Sequence, residues 1–257
     1  MGIIWAASNL PRTDKVSDGG DDGWFTSDTT NSAGVSDGVG SWRAKGVNAG
    51  KFARMLMHRC KKSLESHQNT GNPYLALKEA YSQRGKVMGS ATAIVARGFD
   101  EKLYVCQIGD SGMLVIRNGR CVYSSDPQEH LFDIPFQLGN NNETPKDGWR
   151  YVIPIQDGDT IVIGSDGLFN NLYVRQIVDY INHFPMEATE SNMKKISKTL
   201  TQEAFTKSLR SDFWSPFAQR GYEQGVVNAF DLKHMGGKPD DITCVVGRVS
   251  GVGMLSE

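Results

Sequence analysis

The chain has 257 residues, 39% hydrophobic and 22% charged, with a net charge of −1. That length allows one large domain or two small ones, and the charge balance leaves no basic footprint for nucleic acid or an anionic membrane. No apolar run approaches the ~20 residues of a membrane span. Residues 1–23 are polar and rich in Gly and Asp, and MGIIWAAS reads as neither a secretion signal nor a basic presequence; Ala6 also stands where myristoylation wants Ser or Thr. Trp24–Ser27 and Ser32–Val35 read as two strands around a short turn. Residues 45–66 read as a helix, with Phe52, Leu56, Cys60 and Leu64 on one face and basic residues on the other, and Pro73 opens a second helix through about Arg84. Ala91–Ala96 and Lys102–Ile108 read as strands, and Met113–Ile116 pairs with Cys121–Tyr123 around the Asn118-Gly119 turn. Residues 126–149 read as loop, Thr160–Ile163 as a strand, Leu172–Ile181 and Ser191–Leu209 as helices, 211–238 as irregular, and Ile242–Val249 as the closing strand. This order is α+β, and strands apolar on both faces call for two stacked sheets with helices outside each.

Cys60, Cys106, Cys121 and Cys244 form no CxxC pair and fall in predicted helices or strands, which suggests buried free thiols and a reducing, intracellular compartment. The sequon Asn142-Glu143-Thr144 carries no weight there.

One device recurs along the chain: a buried strand that ends in Asp-Gly or an equivalent acidic turn. It appears at Val35-Ser36-Asp37-Gly38, Ile108-Gly109-Asp110, Ile163-Gly164-Ser165-Asp166-Gly167 and Lys238-Pro239-Asp240-Asp241, with Asp21-Asp22 just before the Trp24 strand. Singly, each Asp-Gly is also a common turn. Carboxylates at several strand ends converge only in a folded sheet, and hard oxygen ligands without His or Cys point to Mg²⁺ or Mn²⁺. Gly109-Asp110-Ser111-Gly112 suggests a serine protease, but Met113 follows and no triad context is present.

GVSDGVGSW, GSATAIV, IGDSGMLVIRNG, GSDGLFNNL and GGKPDDITCVV resemble, in order, the motifs of the metal-dependent type 2C Ser/Thr protein phosphatases. DPQEHLFDIPFQL and SPFAQ resemble the compact branch that includes mitochondrial members. The resemblance implies one four-layer αββα catalytic domain over 1–257: two central, mainly antiparallel sheets flanked by helices, with a possible flap within 182–235. It implies two Mn²⁺ or Mg²⁺ ions, with Asp37 bridging them, Gly38 adding its carbonyl, and Asp166 and Asp240 completing the ligands of the first ion. Asp21 and Asp22 would hold waters of the second ion. Asp110 matches a ligand of a weaker third ion, and Asn170 stands where that ion often has a second Asp, so two ions are expected and a third only weakly held. Val39 replaces a His that some members carry. The family's phosphate-binding Arg has no match in place; Arg12 and Lys15 are the nearest candidates. The activity implied is hydrolysis of phosphoserine and phosphothreonine in proteins by a metal-bridging hydroxide, without a covalent intermediate, by a monomer acting on phosphoprotein substrates. An inactive, partner-binding relative is the alternative, set against the retention of Asp37, Asp166 and Asp240. Hydrolysis of small phosphate esters would use the same centre.

Overall fold

The computed structural model describes residues 1–67, 71–139, 143–226 and 236–251. In chain order, strand β1 (Gly2–Leu10) leads through a 3₁₀ turn (Thr13–Asp18) to β2 (Asp22–Ser27) and β3 (Ser32–Asp37). A second 3₁₀ turn (Gly40–Lys45) precedes helices α1 (Ala49–Ser66) and α2 (Pro73–Ser82). Strands β4 (Ser90–Ala91), β5 (Ala93–Phe99), β6 (Lys102–Ile108), β7 (Gly112–Arg117) and β8 (Arg120–Ser124) follow. Three short strands, β9 (Glu129–Leu131), β10 (Ile134–Pro135) and β11 (Leu138–Gly139), come before β12 (Trp149–Pro154) and β13 (Thr160–Gly164). Helices α3 (Asp166–Phe169), α4 (Val174–Asn182), α5 (Glu190–Ser208) and α6 (Pro216–Glu223) precede the closing strand β14 (Ile242–Ser250).

The long strands form two five-stranded antiparallel sheets, ordered β1-β14-β13-β7-β8 and β12-β6-β5-β3-β2. The period-two alternation of strand side chains decides the layers. On β13, Ile161 and Ile163 face the other sheet while Val162 faces helices; on β7, Met113 and Val115 face inward while Leu114 and Ile116 face outward. The layer between the sheets is completed by Ile3, Trp5, Val35, Ile94, Val105 and Val245. Met193, Ile196 and Leu200 of α5 cover the outer face of the first sheet, and Phe52, Leu56 and Leu77 of α1 and α2 cover that of the second. Each such fully buried side chain contributes about 1.5–3 kcal/mol. The result is the expected αββα sandwich.

Several local expectations need correction. MGIIWAAS is not part of a polar lead-in; it is edge strand β1, paired with β14 from Gly2↔Ser250 to Leu10↔Ile242, with Ile3 and Trp5 in the central core. Trp149–Pro154, which starts at the last residue of the predicted loop and continues into a stretch given no element, is β12, the edge strand beside β6, where Pro154 is tolerated. Residues 216–223, read as irregular, form α6, with Ser215 Oγ accepting from Ala218 N at 3.0 Å and Pro216 at the first helical position. Helix α1 starts at Ala49 instead of 45 because Gly46, at φ 71°, ends the preceding turn in the left-handed region. Asn118 and Gly119 adopt φ 51° and 72°, as the predicted hairpin turn requires. Asn140–Asn142, with the sequon asparagine, and 227–235 of the stretch expected to hold a flap lie outside the described residues. Within 182–235, α5 is a core helix, whereas α6 packs toward the β9–β10 hairpin through Arg220 to Glu129 (2.7 Å) and Phe217 against Phe132.

Candidate metal centre

Antiparallel pairing brings the acidic strand ends to one end of both sheets. Asp22 opens β2 and Asp37 closes β3, and the two are register partners. Asp166 follows β13, while Asp240 and Asp241 precede the adjacent β14. Asp110 sits where the chain crosses from β6 in one sheet to β7 in the other. A cavity of 320 Å³ opens there, lined by Arg12, Lys15, Asp37, Gly38, Asp110, Asp133, Asp166, Lys238 and Asp240 among others. Its lining, among the described residues, contains no His or Cys. Ser111 of the protease-like string is buried and bonded to Thr92 Oγ1 at 2.8 Å, away from any triad.

Asp37 is held by its backbone: its N–H donates to Thr92 Oγ1 (3.1 Å) and its carbonyl accepts from Thr92 N (2.9 Å). Gly38 and Gly167, which follow Asp37 and Asp166, are not turn glycines, because neither has positive φ. They are small because backbone passes close by. A Cβ on Gly38 would lie 2.6 Å from the Asp21 carbonyl oxygen, and one on Gly167 2.1 Å from that of Asp241. The contact at Gly167 seats the β13 end against the β14 start. Gly167→Ala should therefore destabilise the chain by about 1–3 kcal/mol, the range for overpacking. Thermal unfolding checks this, and an unchanged midpoint would show that the approach tolerates a methyl group.

The acidic residues divide by their partners. Asp21 accepts from Arg43 (2.7 and 2.9 Å) and from Lys15 Nζ (2.9 Å), and Asp241 accepts from Lys15 Nζ (2.7 Å), Arg12 N (2.8 Å) and Asp21 N (3.1 Å). Their charge is matched by the chain itself. Lys15 is buried among these carboxylates, 3.7 Å from Asp240, whereas Arg12 lies at the rim, 36% exposed, paired to Asp14. Asp22 accepts from the Thr243 hydroxyl on Oδ2 (2.6 Å), but its buried Oδ1 has no donor. Asp166 Oδ2 accepts from Asn170 Nδ2 (2.9 Å) and Lys238 Nζ (2.8 Å), while its buried Oδ1 has none. A buried carboxylate oxygen without a donor is costly unless a cation or proton meets it.

The electrostatics follow. Burial, then repulsion from Asp22, Asp166 and Asp240, holds the Asp37 carboxyl well above the usual range. Burial and the charge of Asp241 push Asp22 up to about 8, and burial with Asp166 pushes Asp240 up to about 7. Burial acts the same way on Asp166, but Lys238 and the contact with Asp37 outweigh it and leave its pKa lowered. Buried oxygens without donors, among carboxylates that resist ionising together, are a donor set that fits divalent cations.

Two residues near Asp110 were not legible in advance. Asp133, at the tip of the β9–β10 hairpin with φ 59°, offers an oxygen that lies with those of Asp110 and Asp166 inside 4.8 Å. Lys238, just before Asp240, puts its ammonium between Asp133 and Asp166. The only advance signal for Asp133 was its place in the DPQEHLFDIPFQL string. Asn170 does not cap the following helix, whose N-cap is Tyr173; it ends α3 and donates to Asp166. His130, outside the cavity lining, bonds Glu143 at 2.6 Å and stacks on Phe136.

Comparison with known proteins agrees with this arrangement. Residues 5–211 match the family model described as protein phosphatase 2C. The chain is 36% identical to the probable protein phosphatase 2C 80 of Arabidopsis thaliana over 254 residues, which cover 96% of this chain and 59% of that protein. It is 34% identical to the protein phosphatase PTC7 homolog fig of Drosophila virilis, covering 88% of this chain and 77% of the other. The chain thus spans only about half the length of some curated relatives, 42% for the rice protein BIPP2C1. The X-ray structure of the photosystem II phosphatase PBCP superposes with a TM-score of 0.90 at 32% identity, over 98% of this chain and 100% of that one. The catalytic domain of PstP in complex with two manganese ions shares the fold at a TM-score of 0.66 and 17% identity, over 97% and 99% of the two chains. With its motifs in order, its acidic strand ends gathered in one cavity and most of its length matched, the chain belongs to the protein phosphatase 2C family.

Proposed function

We propose that this chain hydrolyses phosphoserine and phosphothreonine in proteins at a centre for two Mn²⁺ or Mg²⁺ ions. The observation that carries the reading is a pair of buried, donor-free oxygens near Asp37: Oδ1 of Asp166, which lines the acidic cavity with Asp37, and Oδ1 of Asp22, the register partner of Asp37. Asp37, the Gly38 carbonyl, Asp166 and Asp240 would hold the ions, and Asp22 would support Asp37 from the neighbouring strand β2. Of the early acidic pair, Asp22 has the uncommitted oxygen, while Asp21 is matched by Arg43 and Lys15. When bound, the ions supply a hydroxide near neutral pH and offset charge on the phosphoryl oxygens. The chain's own residues do the rest. Lys15 and Arg43 keep the Asp21 carboxylate charged and fixed, and Lys15 also anchors Asp241. Arg12, at the rim, is placed to exchange Asp14 for a substrate phosphate. Among the described residues, no side chain lining the cavity offers a Cys or His nucleophile, in keeping with direct attack by water.

The β9–β10 hairpin and α6, tied by Arg220–Glu129 and Phe132–Phe217, are the substrate-contacting part in this reading, with Leu131 and Ile134 exposed beside the cavity. The test is release of inorganic phosphate from phosphoserine and phosphothreonine peptides by the chain with Mn²⁺. Steady turnover is expected. Binding of phosphoproteins without any release would favour the inactive, partner-binding alternative, and turnover of small phosphate esters alone would redirect the substrate class.

A further inference from the structure

Three carboxylates, from Asp110, Asp133 and Asp166, offer oxygens within 4.8 Å of one another. What stands among them is a lysine. Lys238 Nζ lies 2.5 Å from Asp133 Oδ1, 2.8 Å from Asp166 Oδ2 and 3.8 Å from Asp240 Oδ2. Its placement is built into the fold. The buried Asn171 side chain accepts from Lys238 N (2.9 Å) and donates to Lys238 O (2.9 Å), clamping the backbone on both sides. The Phe217 ring lies 5.1 Å from the ammonium. Gly237 is wedged so tightly that a Cβ would meet the Lys207 carbonyl oxygen at 2.2 Å.

The two oxygens of Asp166 are thereby given different tasks. Oδ2 is taken by two donors, Lys238 Nζ and Asn170 Nδ2. Oδ1, buried and without a donor, is the oxygen left for the two-ion centre beside Asp37. A third dication sharing Asp166 would have to displace both donors and sit within contact range of a fixed positive charge, where like charges repel strongly. Asn170 fits this arrangement as an amide donor; a carboxylate there would face Asp166 Oδ2.

We propose that Lys238 is a tethered cation that supplies, from within the chain, the positive charge a third divalent ion would bring to the Asp110–Asp133–Asp166 cluster, and so keeps that ion out. The inference rests on the two-ion reading above. It also assigns Asp133 a role: it holds the ammonium in place, linking the β9–β10 hairpin to the centre.

The experiment is titration of Mn²⁺ into the metal-free full chain, counting bound ions by calorimetry and by the loss of free-Mn²⁺ electron paramagnetic resonance signal, with phosphate release measured on the same preparations. The wild type should bind two ions. Lys238→Met should bind a third, with a dissociation constant about tenfold or more below any third-site binding in the wild type, as loss of a neighbouring like charge allows. Lys238→Arg should stay at two, and Lys238→Met combined with Asp133→Asn should return to two. Circular dichroism verifies folding, and Lys238→Gln replaces Lys238→Met if the latter unfolds. Wild-type and Lys238→Met chains that both bind two ions, or both bind three, over the same range would overturn the role of Lys238 while leaving the phosphatase reading intact. A wild type that binds fewer than two ions or releases no phosphate would overturn the two-ion reading itself, and this inference with it.

Discussion

Replacing Asp37 with Asn should lower phosphate release by on the order of 10³, the loss seen when a key electrostatic group is removed from an active site. Asp37 closes β3 beside the donor-free oxygen of Asp166 and opposite Asp22, and Thr92 holds its backbone on both sides. In the two-ion centre proposed above, it is the side chain that would touch both ions. An amide there keeps the shape and removes one negative charge, which weakens both ions together. The same change should not lower the unfolding temperature in EDTA. In the metal-free chain, burial and three neighbouring carboxylates already disfavour the charged form of Asp37, and an amide avoids that cost. Loss of turnover with an unimpaired metal-free melt is thus the expected signature, read from initial rates and a thermal scan. A variant keeping half its activity would show that this strand end does not carry the chemistry.

Withdrawal of divalent metal should stop hydrolysis altogether, and Mn²⁺ or Mg²⁺ should restore it. Among the described residues lining the cavity, the acidic side chains offer oxygen ligands, and the cations are Lys15, Lys238 and Arg12. Two of these are bound to carboxylates, and Arg12 is paired with Asp14. None can generate a nucleophile. Metal should also raise the melting temperature, since a ligand at one hundred times its dissociation constant stabilises by about 2.7 kcal/mol. Thiol alkylation should leave turnover unchanged. Cys60, Cys106 and Cys244 are buried, and burial pushes the Cys106 thiol up to about 12 and the other two higher still. Cys121 is half-buried on β8, outside the cavity lining. Full activity after exhaustive chelation would refute the two-ion centre.

What the sequence by itself determined here is what local rules control. An alternating stretch marks β6, short continuous apolar runs mark β7 and β13, four-residue spacing marks α1, and Asn118-Gly119 marks a hairpin, because backbone preference and side-chain period act within a few residues. The acidic strand ends Asp22, Asp37, Asp110, Asp166 and Asp240 were legible for the same reason: each is written into a short strand-to-turn string. The tertiary structure decided what depends on a distant partner. Strands β1 and β12 lie at sheet edges and exist through pairing with β14 and β6, and β1 is led out by a polar segment that obscures it. The small size of Gly38 and Gly167 reflects backbone brought close by chain crossing and has nothing to do with turns. The partners of each charge could not be read in advance either. Lys15 and Arg43 share Asp21, Lys238 reaches Asp133 across 105 positions, and Asn170 and Lys238 divide one oxygen of Asp166 between them. Ion pairs select partners by position in space, and only the closed sandwich sets those positions.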